Sequence, residues 1–332
     1  MATYAEIYGK RVEVLSSDPT ASSATEGQVW YNSTSGTLKA AVLGTAAWSS
    51  GGSLNTARKS MTVGNIGNQT TALAVGGYIG PPRSNLTEEY NGSTWSVQNV
   101  NPTTLSGRGG TGTQTAALTF GGNPDPATVT TTTEYDGTNW AAGGALSNAR
   151  GYGPVGAGPQ TAGMAIGGYN PPVTYVTAVE FYNGASWTTN PVAGPSLYGG
   201  AGSGTQTAAW VAGEAAVSPA PENQKTYEWN GSSWTAGGSY VMTAVANIFG
   251  GGPTTTGWVS GGDGDPGLKV ATNHYDGTTW STAPNMATAR DNGGSAGANT
   301  ASLAFGGGTP PVTTGTEEFN EAAAEVQTLT TG

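Results

Sequence analysis

Apolar positions along the chain fall in short runs, such as Ala116-Ala117-Leu118-Thr119-Phe120, separated by Gly, Asn, Asp, Pro and Ser. No window carries the 3.6-residue apolar period of an amphipathic helix, so strands are predicted throughout and helix is nearly absent. One hexapeptide organises the pattern. Tyr135-Asp136-Gly137-Thr138-Asn139-Trp140 has copies beginning at Tyr90, Tyr182, Trp229 and Tyr275 and ending at Trp95, Trp187, Trp234 and Trp280. Its Asx-Gly pair predicts a hairpin with a two-residue type I′ turn, since both residues tolerate positive φ. In that register Tyr90 faces Ser93 and Glu88 faces Trp95, so Tyr90 and Trp95 are diagonal neighbours on one face.

The spacing is regular. Tryptophans stand at 48, 95, 140, 187, 234 and 280, in steps of 47, 45, 47, 47 and 46 residues. A small pair recurs at Gly76-Gly77, Gly121-Gly122, Gly167-Gly168, Ala212-Gly213, Gly261-Gly262 and Gly306-Gly307, and a Gln-Thr marker at Gln69, Gln114, Gln160 and Gln206, with Asn299 as a variant. Six units follow, each with four strand-like runs, which predicts an all-β, six-bladed β-propeller and not a helical solenoid. After Asn320 the last unit has no tryptophan, and Trp48 has no hairpin partner before it. Joining the Trp48 strand to the last unit would close the ring and hide two open edges.

Residues 1–47 lack the repeat. Gly9 to Leu15 reads as a short strand, Ser16 to Gly27 as a polar linker, and Gln28 to Tyr31 with Thr37 to Ala40 as a hairpin. This segment is too short to bury a core alone, so it is expected to dock on the main body, on sister subunits or on another protein. The expected organisation is an attachment segment 1–47, a propeller 48–320 and a tail 321–332.

Composition narrows the function classes. Ten tryptophans and fourteen tyrosines in 332 residues argue for packing despite 55 glycines. The absence of cysteine removes disulfides, thiolate metal sites and Cys nucleophiles. A net charge of −10 with eleven thinly spread basic residues opposes nucleic acid as a partner. No secretory signal and no apolar stretch long enough for a membrane helix is present, so no membrane insertion is expected.

The di-glycine after an apolar strand, the Tyr-Asx-Gly-x-x-Trp hairpin and the upstream Ala57-Arg58, Ala149-Arg150 and Ala289-Arg290 resemble the kelch family of β-propellers over residues 48 to about 320. The chain departs from that pattern at Ala212, Trp229 and Val245. The run Glu26-Gly27-Gln28-Val29-Trp30-Tyr31-Asn32 with Ser35-Gly36-Thr37-Leu38-Lys39 resembles a hairpin near the start of bacteriophage tail-fibre and related virion proteins. Together these resemblances imply a virion appendage assembled in the host cytoplasm. It would join other virion proteins through residues 1–47 and present a propeller to a host-surface glycan or receptor. Fibres of this kind are often homotrimers, although no heptad seam marks one here.

A propeller hosts enzymes and binding modules alike, so sites must decide. His274 is the only histidine and has no second partner for a triad or metal site, so no catalytic residue, metal or cofactor is expected. Six-bladed sialidase-like enzymes share a motif resembling Gly137-x-x-Trp140, but with a different Asp-to-Gly spacing. They gather three arginines in a central pocket. Arg58, Arg108, Arg150 and Arg290 read as equivalent positions of four units, which suits either such a cluster or hydrogen bonds to backbone carbonyls. Asp263-Gly264-Asp265 lacks the later ligands of a calcium loop. Loops after the small pairs vary most and carry stiffening prolines. Tyr78, Arg83, Tyr169 and Tyr175 lie there and are the candidate ligand contacts, the tyrosines offering flat faces for sugars. The competing readings are a glycan-processing propeller enzyme and a cellular kelch scaffold binding a protein.

Overall fold

The computed structural model describes residues 12–22, 25–124, 127–172, 174–214, 224–243, 246–264 and 266–329. Among these residues the regular structure is β except for one 3-10 turn, Gln160–Ala162. The chain divides into two compact units, Met1–Ala47 with Asn320–Gly332, and Trp48–Phe319.

The smaller unit is one sheet, with Glu13–Leu15, Val29–Asn32, Thr37–Leu43 and Ala324–Thr328 as neighbours in that order. The hairpin predicted around Gln28 to Ala40 is present, with Val29 opposite Ala40 and Asn32 opposite Thr37. Of the strand predicted from Gly9, residues 9–11 lie outside the described residues. In the polar stretch after it, Asp18 is pinned to the hairpin, its carboxylate accepting Asn32 Nδ2 at 2.6 Å and Trp30 Nε1 at 2.9 Å. Both bonds hold Asp18 below the usual carboxylate range, Asn32 more strongly. Within residues 321–332, expected as a separate tail, Ala324–Thr328 forms a strand, with Val326 opposite Ala41. The signal was weak, because Glu-Val-Gln-Thr-Leu shows only three alternations.

The larger unit is a series of small antiparallel meanders. Gly109–Thr113, Ala116–Phe120, Thr132–Tyr135 and Trp140–Ala142 form one sheet in chain order, and three more four-stranded sheets start at Val155, Leu197 and Phe249. The first meander, Leu73–Tyr78, Arg83–Tyr90 and Trp95–Gln98, is joined on its inner side by residues 62–67 through single bridges and bonds such as Thr62 N to Val75 O. The last consists of Gly294–Ala298, Ala301–Phe305 and Thr316–Asn320, with Ala47–Ser50 as its outer strand. This all-β arrangement is consistent with a propeller-like fold.

The aromatic hairpins differ from the predicted register. Tyr90 lies directly opposite Trp95, with ring centroids 4.9 Å apart. The loop therefore has four residues, Asn91 to Thr94. Its first side chain decides this: Asn91 Oδ1 accepts the N–H groups of Ser93 and Thr94 at 3.0 and 2.9 Å, and Gly92 takes φ 88°. An Asx turn thus replaces the type I′ turn, because the short polar side chain captures backbone donors that a two-residue turn would leave elsewhere. Asp136 does the same for Thr138 and Asn139.

Buried apolar side chains collect between consecutive sheets. Ile66, Leu73 and Val75 meet Ala117 and Tyr135; Leu118 and Phe120 meet Tyr182 and Trp187; Phe249 and Trp258 meet Ala304. Leu303 and Phe305 of the last sheet pack with Ala74, Tyr90 and Trp95 of the first. Burying a side chain of this size stabilises by about 1.5–3 kcal/mol. Polar ties repeat at the same seams. The Nε1 groups of Trp95, Trp140, Trp187, Trp280 and Trp48 donate to hydroxyls of Thr316, Thr87, Thr132, Thr226 and Thr272. The Gln-Thr marker has the same use: Gln114 Nε2 donates to Ala72 O and Tyr90 O of the preceding sheet, and Gln69 to Phe319 O and Ser302 O of the last.

Candidate functional site

The arginines sort themselves first. Arg58, Arg150 and Arg290 are almost wholly buried and pair with Glu88, Glu180 and Glu317 at 2.8, 2.6 and 3.0 Å. Each also donates to the carbonyl of the first glycine of a small pair, Gly76, Gly167 and Gly306. That glycine is required: Gly121, for example, takes φ 63°, and a Cβ there would stand 2.3 Å from Arg150 O. Ala212, at the matching position, does not take a positive φ, so its Cβ is tolerated there.

Arg108 is not the equivalent of these three. Except at Gly213, the second glycine of each pair donates to the residue at the arginine position of the next repeat, and Gly77 N meets Leu105 O where Gly122 N meets Arg150 O. Arg108 reaches the same interior from three residues further on, and finds Asn101 Oδ1, Thr103 Oγ1 and Thr133 Oγ1 at 2.8–3.0 Å. Lacking a carboxylate there, it is pushed down to about 9 by burial. Of the two uses open to the four arginines, the structure places them in the interior, bonded to carbonyls, carboxylates and hydroxyls, and outside the cavity described next. Val245 lies outside the described residues.

The cavity is built on a backbone feature. Ser60, Gly107, Tyr152, Gly199, Asn247 and Asn292 occur once per repeat, and all have φ between 48° and 60°. Backbone hydrogen bonds link them in succession: Gly107 N to Ser60 O, Gly153 N to Gly107 O, Gly199 N to Tyr152 O, Ile248 N to Gly199 O, Asn292 N to Asn247 O, and Ser60 N to Asn292 O, at 2.6–3.2 Å. The left-handed conformation turns each segment so that its N–H and C=O reach its two neighbours, which explains why Gly, Asn and Ser recur there.

Above this circuit lies a cavity of about 310 Å³, lined by these residues with Tyr78, Arg83, Asn123 and Tyr198. Tyr78 and Arg83 both line it, Arg83 Nε donating to Ser106 Oγ at 3.0 Å. Tyr169 and Tyr175 stand in a cluster beside the cavity, with ring centroids 5.3 Å apart. Tyr169 also meets Tyr152 at 5.7 Å and Tyr198 at 6.1 Å. Burial raises the Tyr198 phenol above its ordinary value, and the neighbouring Tyr152, Tyr175 and Tyr169 add to the shift.

Tyr152 and Tyr198 escaped the sequence reading. Tyr152 stands two places after Ala149-Arg150, where Ala57-Arg58 and Ala289-Arg290 are followed by Ser60 and Asn292, and Tyr198 carries no such signal.

His274 is half-buried, packs edge-on against Phe319 at 4.9 Å and is pushed down to about 4 by burial, so it is neutral near pH 7. It lies away from the cavity lining. Among the described residues no group of three His, Cys, Asp or Glu side chains is placed to hold a metal, and no helix is long and apolar enough to cross a membrane. The loop parts 125–126 and 215–222 and Asp265 lie outside the described residues. No known family profile matches the chain, and no curated protein is similar to it.

Proposed function

We propose that the larger unit is a closed, six-bladed, kelch-like β-propeller, and that the chain is a non-enzymatic bacteriophage virion appendage whose propeller presents its tyrosine-lined cavity to the host surface. The closed ring is supported by the circuit of hydrogen bonds from Ser60 through Asn292 and back, and by the seam between Phe305 and Trp95. The observation that carries the recognition reading is the cavity itself: concave, aromatic, and furnished with amides, phenols and hydroxyls, the composition of a binding site.

Hydrolysis of a glycan needs paired carboxylates and, in sialidase-like propellers, an arginine cluster in the pocket. Here Arg58, Arg150 and Arg290 are tied into the sheets by Glu88, Glu180 and Glu317, outside the cavity, which favours recognition.

Attachment is supported by the smaller unit. Val14 is opposite Tyr31, Tyr31 opposite Leu38, and Leu329 N bonds Leu38 O, so these four form one row across the sheet. They are 68, 41, 37 and 42% exposed, an apolar surface of the kind that marks an interaction site. With the N-terminal resemblance, it points to another virion protein as the occupant. The test has two parts. Labelled chain is mixed with a panel of bacterial envelopes, with retention expected and sugar release not expected. Deleting residues 1–47 is expected to abolish incorporation into particles. Released sugar would replace the binding reading with an enzymatic one, and normal incorporation would end the attachment reading.

A further inference from the structure

We infer that the cavity binds an uncharged sugar ring against Tyr152 and Tyr198, a conclusion that rests on the recognition reading above. The chain uses tyrosine in two ways. Tyr90, Tyr135, Tyr182 and Tyr275 donate their hydroxyls to Glu318, Glu89, Glu134 and Glu228 of the adjoining sheets, and are structural. The phenols of Tyr152 and Tyr198 make no hydrogen bond among the described residues, although both side chains line the cavity. Their rings lie nearly parallel, 16° apart in plane with centroids 6.0 Å apart. Tyr169 packs edge-on against both, and its own hydroxyl donates to Pro172 O at 2.8 Å. The aromatic surface is therefore held in place before any ligand arrives, and little entropy is lost on contact.

The backbone gives a second, independent argument. At the six left-handed positions the other occupants are Ser, Gly, Gly, Asn and Asn, residues that tolerate φ near 57°. Tyr152 alone is bulky, and a bulky side chain there costs on the order of 1–3 kcal/mol. Such strain persists where a side chain serves a site, and Tyr152 stands in the wall of the cavity.

The chemistry matches a pyranose. Its C–H face stacks on an aromatic ring, and its hydroxyls need partners that both donate and accept, which phenols and the Asn247 amide supply. Arg83, the cavity's charged side chain, has its Nε on Ser106, and the chain's net charge of −10 disfavours an anion, so a neutral sugar is favoured over a carboxylated one.

The test titrates the full chain with glucose, galactose, N-acetylglucosamine and their disaccharides, and with glucuronate and N-acetylneuraminate as charged arms, read by calorimetry. A neutral sugar is expected to bind. Tyr152→Asn, which suits the left-handed backbone, is expected to weaken it at least about tenfold while the melting temperature stays or rises. Tyr198→Ala is expected to weaken it similarly. Binding of charged sugars alone, binding of none, or full binding by Tyr152→Asn would each overturn the inference. Periodate treatment of envelopes separates the two levels. Retention on oxidised envelopes would remove the sugar but leave recognition standing, whereas retention on no envelope would remove recognition itself.

Discussion

Val179 stands where the indole N–H of Trp234 would find a threonine. Both belong to one apolar cluster, and Trp234 Nε1 has no hydrogen-bond partner among the described residues. At the other seams Thr87, Thr132, Thr226, Thr272 and Thr316 accept that bond. Val179→Thr is therefore expected to stabilise by about 1 kcal/mol, the net worth of a hydrogen bond that satisfies a buried donor. The reverse change, Thr132→Val, strips Trp187 of its acceptor and is expected to lose about 1–2 kcal/mol. Urea unfolding of the two variants checks both signs, and no gain in the first would mean that the valine packing outweighs the bond.

A second pairing rule concerns His274 and Phe319. Glu89, Glu134, Glu228 and Glu318 each accept a phenol from the next sheet, but at His274 the next sheet offers Phe319. Burial holds His274 at about 4, against an ordinary value of 6.5. Above pH 6.5 both folded and unfolded chains carry it neutral, and its contribution to stability is fully present. As pH falls from 6.5 towards 4 the unfolded chain takes up a proton that the fold excludes, so stability drops by up to about 1.4 kcal/mol per pH unit. His274→Phe, the residue type found at the matching Phe181, is expected to flatten this slope. Melting curves at pH 7.5 and 4.5 would show it, and an unchanged slope would assign the acid sensitivity to other groups.

The glutamine ties make a third prediction. Gln160 Nε2 donates to Ala117 O at 3.0 Å and Tyr135 O at 2.8 Å, so one amide stitches two strands of the preceding sheet. Gln160→Ala is expected to lose about 1–3 kcal/mol, because both carbonyls are left without this donor. Gln160→Glu is expected to lose more, since a carboxylate then faces two carbonyl oxygens. Equal losses would show that the amide acts by filling space.

How much of this was legible in the sequence depends on how local each feature is. The repeat, the strands and the small pairs were readable because each is written within a few residues, as at Gly121-Gly122. Hairpin register is not legible in Asx-Gly alone, because Asn91 competes for backbone N–H groups two and three residues on. Arg108 was grouped with Arg58 by residue type, whereas the backbone bonds of Leu105 show where the repeat places it. The cavity was only half visible: Tyr78 and Arg83 lie in a variable loop, but Tyr152 and Tyr198 come together through a circuit that joins all the repeats.

The proposed ring closure carries the last prediction. Trp48 donates Nε1 to Thr272 at 3.1 Å and meets Trp258 and Phe319 with ring centroids at 5.8 and 5.6 Å. Trp280 makes the same bond to Thr226 from within a continuous repeat. If the Ala47–Ser50 strand completes the last sheet as a true outer strand, Trp48→Ala and Trp280→Ala should destabilise alike, each by about 3–5 kcal/mol less whatever exposure remains. Removing residues 1–50 would go further, leaving Thr316–Asn320 with an unpaired edge, and is expected to convert the chain to concentration-dependent aggregates. Unfolding midpoints and light scattering measure the two effects. A Trp48→Ala variant as stable as the unaltered chain, or a truncated chain that stays monomeric, would mean that the proposed ring holds without its N-terminal strand.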